Sequence, residues 1–223
     1  MKILAFDTST EYCSVALWAD GEVSAREVLA GQRHSELLLP LVGEMLAERG
    51  MNLQALDGIA FGSGPGSFTG LRIGCGVAQG LAFAAGLPVI GMCTLLALAQ
   101  GADSERVIAC LDARVGEVYH AAYEREADGW RVVQTPGLYA PQDTPRVAGE
   151  GWSGCGSGFA AHGEALRGRH AGQLQRVFAD AFPLARDIAR LAAPCFANGE
   201  GVDAALAAPL YIRNKVALKT SER

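Results

Sequence analysis

The sequence predicts an α/β protein built from two duplicated βββαβα halves. An apolar strand closed by an aspartate occurs twice, as KILAFD ending at Asp7 and as RVIACLD ending at Asp112. After each aspartate the chain continues with a short turn, a second strand, the turn ADG and a third strand, at an offset of about 105 residues. Two unrelated β-meanders would give the same pattern, because meanders are common.

Local signals predict the elements of the first half in order. Alternating apolar residues and the turn DG predict three strands joined as a meander, KILAFD, YCSVALWA and EVSAREVL. A helix follows from Ser35 to about Arg49, with Ser35 as a candidate N-cap and Gly50 as its end. GIAF then predicts a strand, GSGPGSFTG a tight turn and LRIGCGVAQGLAFAAG a long helix. PVIGM and CTLLALAQ predict a further strand and helix.

The second half departs from this pattern after the strand WRVVQT. Residues 135–159 are loop-like, with strands that the sequence does not place, and the sequence gives no assignment for the structure of residues 136–180. Near the end, PLARDIARLAAPCFA predicts a helix with Pro183 near its first turn and Asn198 and Gly199 past its end. We therefore predict an N-terminal domain of residues 1–102 and a degenerate C-terminal domain of residues 103–223.

Composition limits the class of partner. Half of the 223 residues are hydrophobic, which is enough to bury a sizeable core, and the net charge is −5. An acidic chain is a poor binder of nucleic acid by itself, because affinity for phosphates comes from clustered Lys and Arg. The sequence has a small basic tail with Arg213, Lys215, Lys219 and Arg223, which is typical of a solvated terminus.

Several features indicate a cytoplasmic protein with no membrane segment. The six cysteines form no CxxC pair and lie mostly in apolar runs, as in reduced cytosolic proteins. Asp7 interrupts the first apolar stretch of the chain too early for that stretch to be a signal peptide. Residues 73–102 contain no charge and are long enough to cross a bilayer, but Gly86, Pro88 and Gly91 divide them into helix, strand and helix.

The glycine-rich turn and the preceding DTST motif are candidates for an anion site. The turn lacks the lysine of a phosphate-binding P-loop, but backbone amides at a helix start can hold an anion without one. The same residues also suit two tight turns that satisfy their own backbone groups, and we favour that interpretation. The candidate anion or nucleotide contacts are Asp7, Thr8, Ser9, Gly64, Gly66 and Ser67.

The sequence contains no recognisable metal or nucleophile motif. The four histidines form neither HxxxH nor HExxH, so no two imidazoles are placed four apart on one helical face. No serine lies in the GxSxG pattern of a nucleophile elbow. The sequence therefore predicts no metal site and no nucleophile elbow, while catalytic carboxylates stay open: Asp7 and Asp112 are explained by the duplication alone.

Five stretches of the chain, taken together, resemble a known family. ILAFDTST, RHSELLLPLV, GPGSFTGLRIG, GLAFAAGLPVIG and PLYIRNKVA occur in this order. They resemble TsaB (YeaZ), the dimerization subunit of the bacterial complex that makes threonylcarbamoyladenosine in tRNA, and GPGSFTGLRIG alone is close to diagnostic. The resemblance covers residues 1 to about 100 and about 180 to 217.

This resemblance implies an actin-like ATPase (ribonuclease H-like) fold and a set of partners. The partners are a catalytic paralogue, TsaD, and a small ATPase, TsaE, with a homodimer when the chain is alone. The complex transfers a threonylcarbamoyl group to the tRNA adenosine that follows the anticodon. ATP and metal would belong to the partner subunits, this chain alone would bind no cofactor, and tRNA would be reached only through the complex.

The comparison with the paralogue implies that this subunit is not an enzyme. The catalytic subunit carries two metal-binding histidines four apart, and the corresponding positions here are Thr94 and Leu98. Neither side chain replaces imidazole at a metal that requires nitrogen. We therefore expect a non-catalytic scaffold. The alternative is an autonomous ATP-hydrolysing or kinase-like enzyme; a metalloprotease is disfavoured by the missing ligands.

Two helices provide the predicted partner surface. On a helical wheel the apolar arc of the first helix spans about 200°, twice the stripe of about 100° needed to face one core. The second helix carries four glycines, which cost helix stability but suit close approach of another backbone. The alternative is that residues 136–180 cover both helices. The predicted interface residues are His34, Leu37, Leu38, Leu41, Val42, Met45, Leu71, Arg72, Cys75, Gly76 and Gln79.

Overall fold

A computed structural model describes residues 1–213 of the chain. The predicted basic tail at Lys215, Lys219 and Arg223 lies outside the described residues. The first half contains β1 (Lys2–Asp7), β2 (Tyr12–Ala19), β3 (Glu22–Leu29), α1 (His34–Glu48), β4 (Gly58–Gly64), α2 (Phe68–Ala85), β5 (Val89–Cys93) and α3 (Thr94–Gly101). The second half contains β6 (Arg106–Asp112), β7 (Val118–Glu126), β8 (Gly129–Tyr139), β9 (Trp152–Cys155), α4 (Ser157–Arg169), β10 (Leu174–Phe178) and α5 (Ala185–Ala197).

The two halves are duplicates, as the sequence predicts. Each forms a five-stranded sheet, with order β3-β2-β1-β4-β5 in the first half and β8-β7-β6-β9-β10 in the second. The central strand of each sheet pairs antiparallel with the next strand of its meander and parallel with the fourth strand. The first half ends with the fifth strand and the helix that PVIGM and CTLLALAQ predict, and the second half ends with their counterparts, β10 and α5.

The strands that the sequence leaves unplaced in residues 136–180 are the end of β8 and all of β9 and β10. This stretch also contains α4 and a short 3₁₀ turn at Pro141–Asp143 where the first half has α1. Helix α4 lacks a clear apolar stripe, and its residue His162 has non-helical dihedral angles. These features remove the 3.6-residue periodicity that identifies a helix in sequence.

Two helices connect the halves by packing on the opposite sheet. Helix α3 comes from the first half, but its Leu95 and Leu98 pack against β6 and β7 of the second. Helix α5 comes from the second half, but its Ile188 and Ala192 pack against β1, β2 and β4. Along the chain, the elements of the first half end at Gly101 and those of the second half begin at Arg106. In space, however, each half contributes one helix to the hydrophobic core of the other.

Helix boundaries follow the expected signals with one exception. Helix α1 begins at His34, so the N-cap is Arg33, which makes no side-chain cap hydrogen bond, and the predicted cap Ser35 is wrong. Gly50 has a φ of +59° just after the helix, as expected for its end.

The uncharged residues 73–102 are divided into a helix, a strand and a second helix, as predicted. No helix within residues 1–213 is both long and apolar enough to cross a membrane.

Candidate functional site

The glycine-rich turn packs directly on the DTST turn. The Ser67 amide donates a hydrogen bond to the Ser9 carbonyl over 2.7 Å, and Thr8 Oγ1 donates to the Gly70 carbonyl over 2.7 Å. A β-carbon on Gly70 would lie 1.9 Å from the Thr8 carbonyl oxygen, and one on Gly66 would lie 2.5 Å from that of Ser9. Close approach of two backbones therefore explains both glycines.

The polar groups of the candidate anion site bond one another. The Ser9 amide and Oγ both donate to Asp7 Oδ1, at 3.0 and 2.8 Å, and Ser67 Oγ accepts from the Gly70 amide. Asp7 Oδ2 has no hydrogen-bond partner among the described residues. Burial raises the pKa of the Asp7 carboxyl to about 7. The structure brings the predicted residues together in a junction whose polar groups bond one another, and three of them, Ser9, Gly66 and Ser67, also line the large cleft between the two halves.

A large cleft lies between the two halves. It has a volume of about 1490 Å³ and is lined by the start of α2, by the turn after β6 and by residues 210–213. Asp112, the counterpart of Asp7, lies in this cleft, where its Oδ1 accepts from the Arg114 amide at 3.1 Å and lies 3.5 Å from His162 Nε2. The second aspartate is therefore also held by its own turn.

The two positions that correspond to the paralogue's histidines have packing roles. Thr94, the first residue of α3, is fully buried, and its Oγ1 donates to the Pro65 carbonyl. Leu98 is buried between the halves, and a β-carbon on Gly156 would lie 2.6 Å from its Cδ2. In the part of the chain that the structure describes, no three His, Cys, Asp or Glu side chains are grouped as metal ligands.

Most of the predicted interface residues lie in the chain's own core. Helix α1 packs against both β2 and α2, which together bury a wider arc than a single sheet would. Leu37 is partly buried there, and the His34 ring lies 3.2 Å from the Tyr12 carbonyl. The prediction that the following side chains face a partner is therefore corrected, because they are buried: His34, Leu38, Leu41, Val42, Met45, Leu71 and Cys75.

Two other predicted interface residues hold the C-terminal segment, residues 204–213, against α2. Gln79 Nε2 donates to the Ala207 carbonyl at 2.9 Å, and Arg72 Nε donates to the Tyr211 hydroxyl at 3.1 Å. The Arg72 guanidinium also stacks on the Phe68 ring. Sequence reasoning missed this segment's role, since the partners lie more than 100 residues apart.

The outer sides of α1 and α2 remain uncovered by the described residues. Residues 136–180 pack on the second sheet, so they do not cover these helices. Phe83 is 85% exposed and Leu39 is 50% exposed. A β-carbon on Gly43, Gly76 or Gly80 would meet nothing within 4 Å. We call the following set the α1–α2 face: Leu39, Pro40, Gly43, Gly76, Gly80 and Phe83. Of these, only Gly76 is in the predicted interface.

Duplicated five-stranded sheets joined by exchanged helices define a protein of the actin-like, ribonuclease H-like class. A family model described as TsaD, tRNA N6-adenosine threonylcarbamoyltransferase, matches residues 27–166. An Escherichia coli K12 protein named tRNA threonylcarbamoyladenosine biosynthesis protein TsaB is 42% identical, over 98% of this chain and 97% of that protein. The chain belongs to the TsaB family.

Solved structures agree with this assignment. The structure of YeaZ from Pseudomonas aeruginosa has a TM-score of 0.86 and 39% identity, and the match covers 94% of this chain and 99% of that one. A second Pseudomonas aeruginosa structure, described as an uncharacterized protein with similarity to peptidase YeaZ, has a TM-score of 0.88 and 39% identity, over 95% and 99% of the two chains. The resemblance found in the sequence is confirmed.

Proposed function

We propose that this chain is the non-catalytic scaffold subunit of a complex that makes threonylcarbamoyladenosine in tRNA, and that its α1–α2 face binds the catalytic paralogue. Its E. coli relative is named for this biosynthesis, and the matching family model describes a threonylcarbamoyltransferase. A transferase-family fold and an exposed apolar face together suit a subunit that acts by binding the transferase.

The open glycines of the α1–α2 face carry this proposal. Gly43, Gly76 and Gly80 each lie inside a helix, where glycine costs up to about 1 kcal/mol relative to alanine. Nothing within the described chain lies close enough to require them. A partner that packs closely against the helix backbone explains them. Unlike the open glycines of α4, Gly76 and Gly80 share one side of α2 with the exposed Phe83 ring, the kind of side chain that anchors an interface.

Packing supports the non-catalytic part of the proposal. Thr94 and Leu98 occupy the positions that correspond to the paralogue's metal-binding histidines, and both, like the candidate site residue Asp7, are buried and packed inside the chain. ATP and metal then belong to the partner subunits TsaD and TsaE. With a net charge of −5, the chain reaches tRNA through the complex. When the paralogue is absent, a second copy occupies the same face.

Steady-state ATP hydrolysis by the purified chain tests the absence of catalysis. With Mg²⁺ present, we expect no hydrolysis above background at any concentration of the chain. Hydrolysis that scales with the concentration of the chain and disappears in Asp7→Ala would instead support an autonomous ATP-hydrolysing enzyme. A heat-treated sample and the Asp128→Asn surface variant are the controls for contaminating activity.

A further inference from the structure

A second, smaller cavity lies where the two halves meet. Its volume is about 220 Å³, and its lining comes from β2, β3, α3, the segment before α5 and the first turn of α5. It shares no lining residue with the interlobe cleft. Neither the proposed scaffold role nor the α1–α2 face uses it.

The cavity wall carries an excess of negative charge. Three carboxylates and one guanidinium line it, from Glu27, Asp180, Asp187 and Arg186. Arg186 Nη1 donates to Glu27 Oε1 at 2.7 Å, so the single cation of the lining is already paired. The lining alone has a formal charge of −2, which Arg190, paired with Asp187 from outside the lining, reduces to −1, and the cavity suits a cationic ligand.

One of these carboxylates is buried with an unused acceptor. Asp187 is 0% exposed, and its Oδ1 accepts from Arg190 Nη1 at 3.0 Å. Its Oδ2 lies 3.6 Å from Arg186 Nε and has no hydrogen-bond partner in residues 1–213. A β-carbon on Gly101, which also lines the cavity, would lie 2.8 Å from this oxygen. The unused acceptor thus packs against Gly101, and both residues belong to the cavity lining.

The helix position of Asp187 explains only part of this arrangement. A carboxylate in the first turn of α5 is stabilised by the helix dipole and by Arg190. An unbonded, buried carboxylate oxygen costs free energy, since it has lost its water without gaining a donor. A ligand that brings a donor into the cavity would remove that cost.

We propose that this cavity binds a small aliphatic amine in its ammonium form, and a diamine more tightly than a monoamine. An ammonium group has three donors and no acceptor, which matches a lining of carboxylate oxygens. The Tyr12 and Phe182 rings, with centroids 4.7 Å apart, line the same cavity and provide an aromatic surface for methylene groups and for the cation. The three lining carboxylates offer more acceptors than one ammonium uses, which favours a second ammonium.

Isothermal titration calorimetry on the full chain tests this site. The probes are putrescine, n-butylamine and uncharged 1,4-butanediol, each in buffer of matched ionic strength. We expect saturable binding of putrescine, weaker binding of butylamine and none of butanediol. Asp187→Asn should weaken putrescine at least about tenfold, as expected for loss of a charge-assisted hydrogen bond. Asp180→Asn should also weaken it, whereas Asp128→Asn, an exposed acid outside the cavity, should not.

Specific outcomes would overturn the proposal. These are the absence of saturable amine binding up to millimolar concentration, equal affinity in Asp180→Asn and Asp128→Asn, or equal binding of butanediol. Complete displacement of putrescine by the same concentration of MgCl₂ would indicate a general cation effect and would also overturn it. If Asp187→Asn fails to fold, the exposed Asp180 and the ring variant Phe182→Leu decide the result.

Discussion

The carboxylate of Asp7 occupies the space above the α-carbon of Gly62. A β-carbon on Gly62 would lie 1.8 Å from Asp7 Oδ2, because β1 and β4 are parallel neighbours with Phe6 opposite Phe61. Only glycine leaves room for this carboxylate. The carboxylate that the sequence offers as a candidate anion contact is therefore part of the packing between two strands.

The glycines of this region should divide into two groups in stability measurements. Gly62→Ala and Gly70→Ala should each lower the free energy of unfolding by about 1–3 kcal/mol or more, since the new methyl group meets a carboxylate or a carbonyl oxygen. Gly76→Ala and Gly80→Ala should raise it by up to about 1 kcal/mol, because they gain helix propensity without a clash. Urea unfolding of the four variants measures the difference.

A double-variant comparison tests the cause of the Gly62 effect. Asp7→Ala removes the oxygen that the new methyl group would meet, so it should make Gly62→Ala less costly. It should leave the cost of Gly70→Ala unchanged, since that clash involves the Thr8 carbonyl. Equal costs of Gly62→Ala with and without Asp7 would contradict the contact.

Asp7 should make the chain less stable as the pH rises. Burial raises its pKa from 3.8 to about 7, so between these values the folded chain holds a proton that the unfolded chain has released. Stability is therefore lost as the pH rises towards 7. Asp7→Asn should gain about 2 kcal/mol relative to wild type between about pH 5 and about pH 8. Gly76→Ala, which changes no titratable group, should keep a constant difference; a constant difference for Asp7→Asn would contradict this account.

The second half should respond to pH in the opposite direction. Burial, and then the neighbouring His170, lower the pKa of His120 to about 3, and both ring nitrogens lack hydrogen-bond partners among the described residues. Below about pH 6.5 the unfolded chain takes up a proton on His120, whereas the folded chain does not. The free energy of unfolding should therefore fall by about 2 kcal/mol on going from neutral pH to about pH 5. Thermal melts above pH 6.5 and at about pH 5 measure this loss of stability, and His120→Phe should remove most of it. An unchanged pH response would show that His120 is not its source.

The strands were more predictable than the partner surface. KILAFD, YCSVALWA and EVSAREVL coincide with β1, β2 and β3, because period-two alternation and the DG turn are local signals. The helix α4 was missed because His162 interrupts it. The apolar arc of α1 was correctly recognised as wide, but the sequence does not show that α2 takes up one edge of it. The amine cavity was not predictable, because Glu27, Gly101 and Asp187 come together only in the folded chain.

The buried and exposed sides of α1 and α2 should behave differently on introduction of a charge. Leu38→Glu should unfold the chain, because that side chain is 1% exposed in the core. Phe83→Glu should leave the melting temperature close to wild type, since the ring is 85% exposed. Circular dichroism melts measure both. A folded Leu38→Glu or an unfolded Phe83→Glu would contradict the burial described for these helices.

Calorimetric titration of the chain with its catalytic paralogue tests the scaffold proposal most directly. The account predicts that Gly76→Leu and Phe83→Glu each weaken binding at least about tenfold, a loss of about 1.4 kcal/mol, while both remain folded. Gly168→Leu is the matched control, since Gly168 is an exposed glycine on α4 with nothing within 4 Å. It should bind as wild type does. Wild-type affinity in both Gly76→Leu and Phe83→Glu, or equal loss in Gly168→Leu, would contradict the assignment of the α1–α2 face as the partner surface.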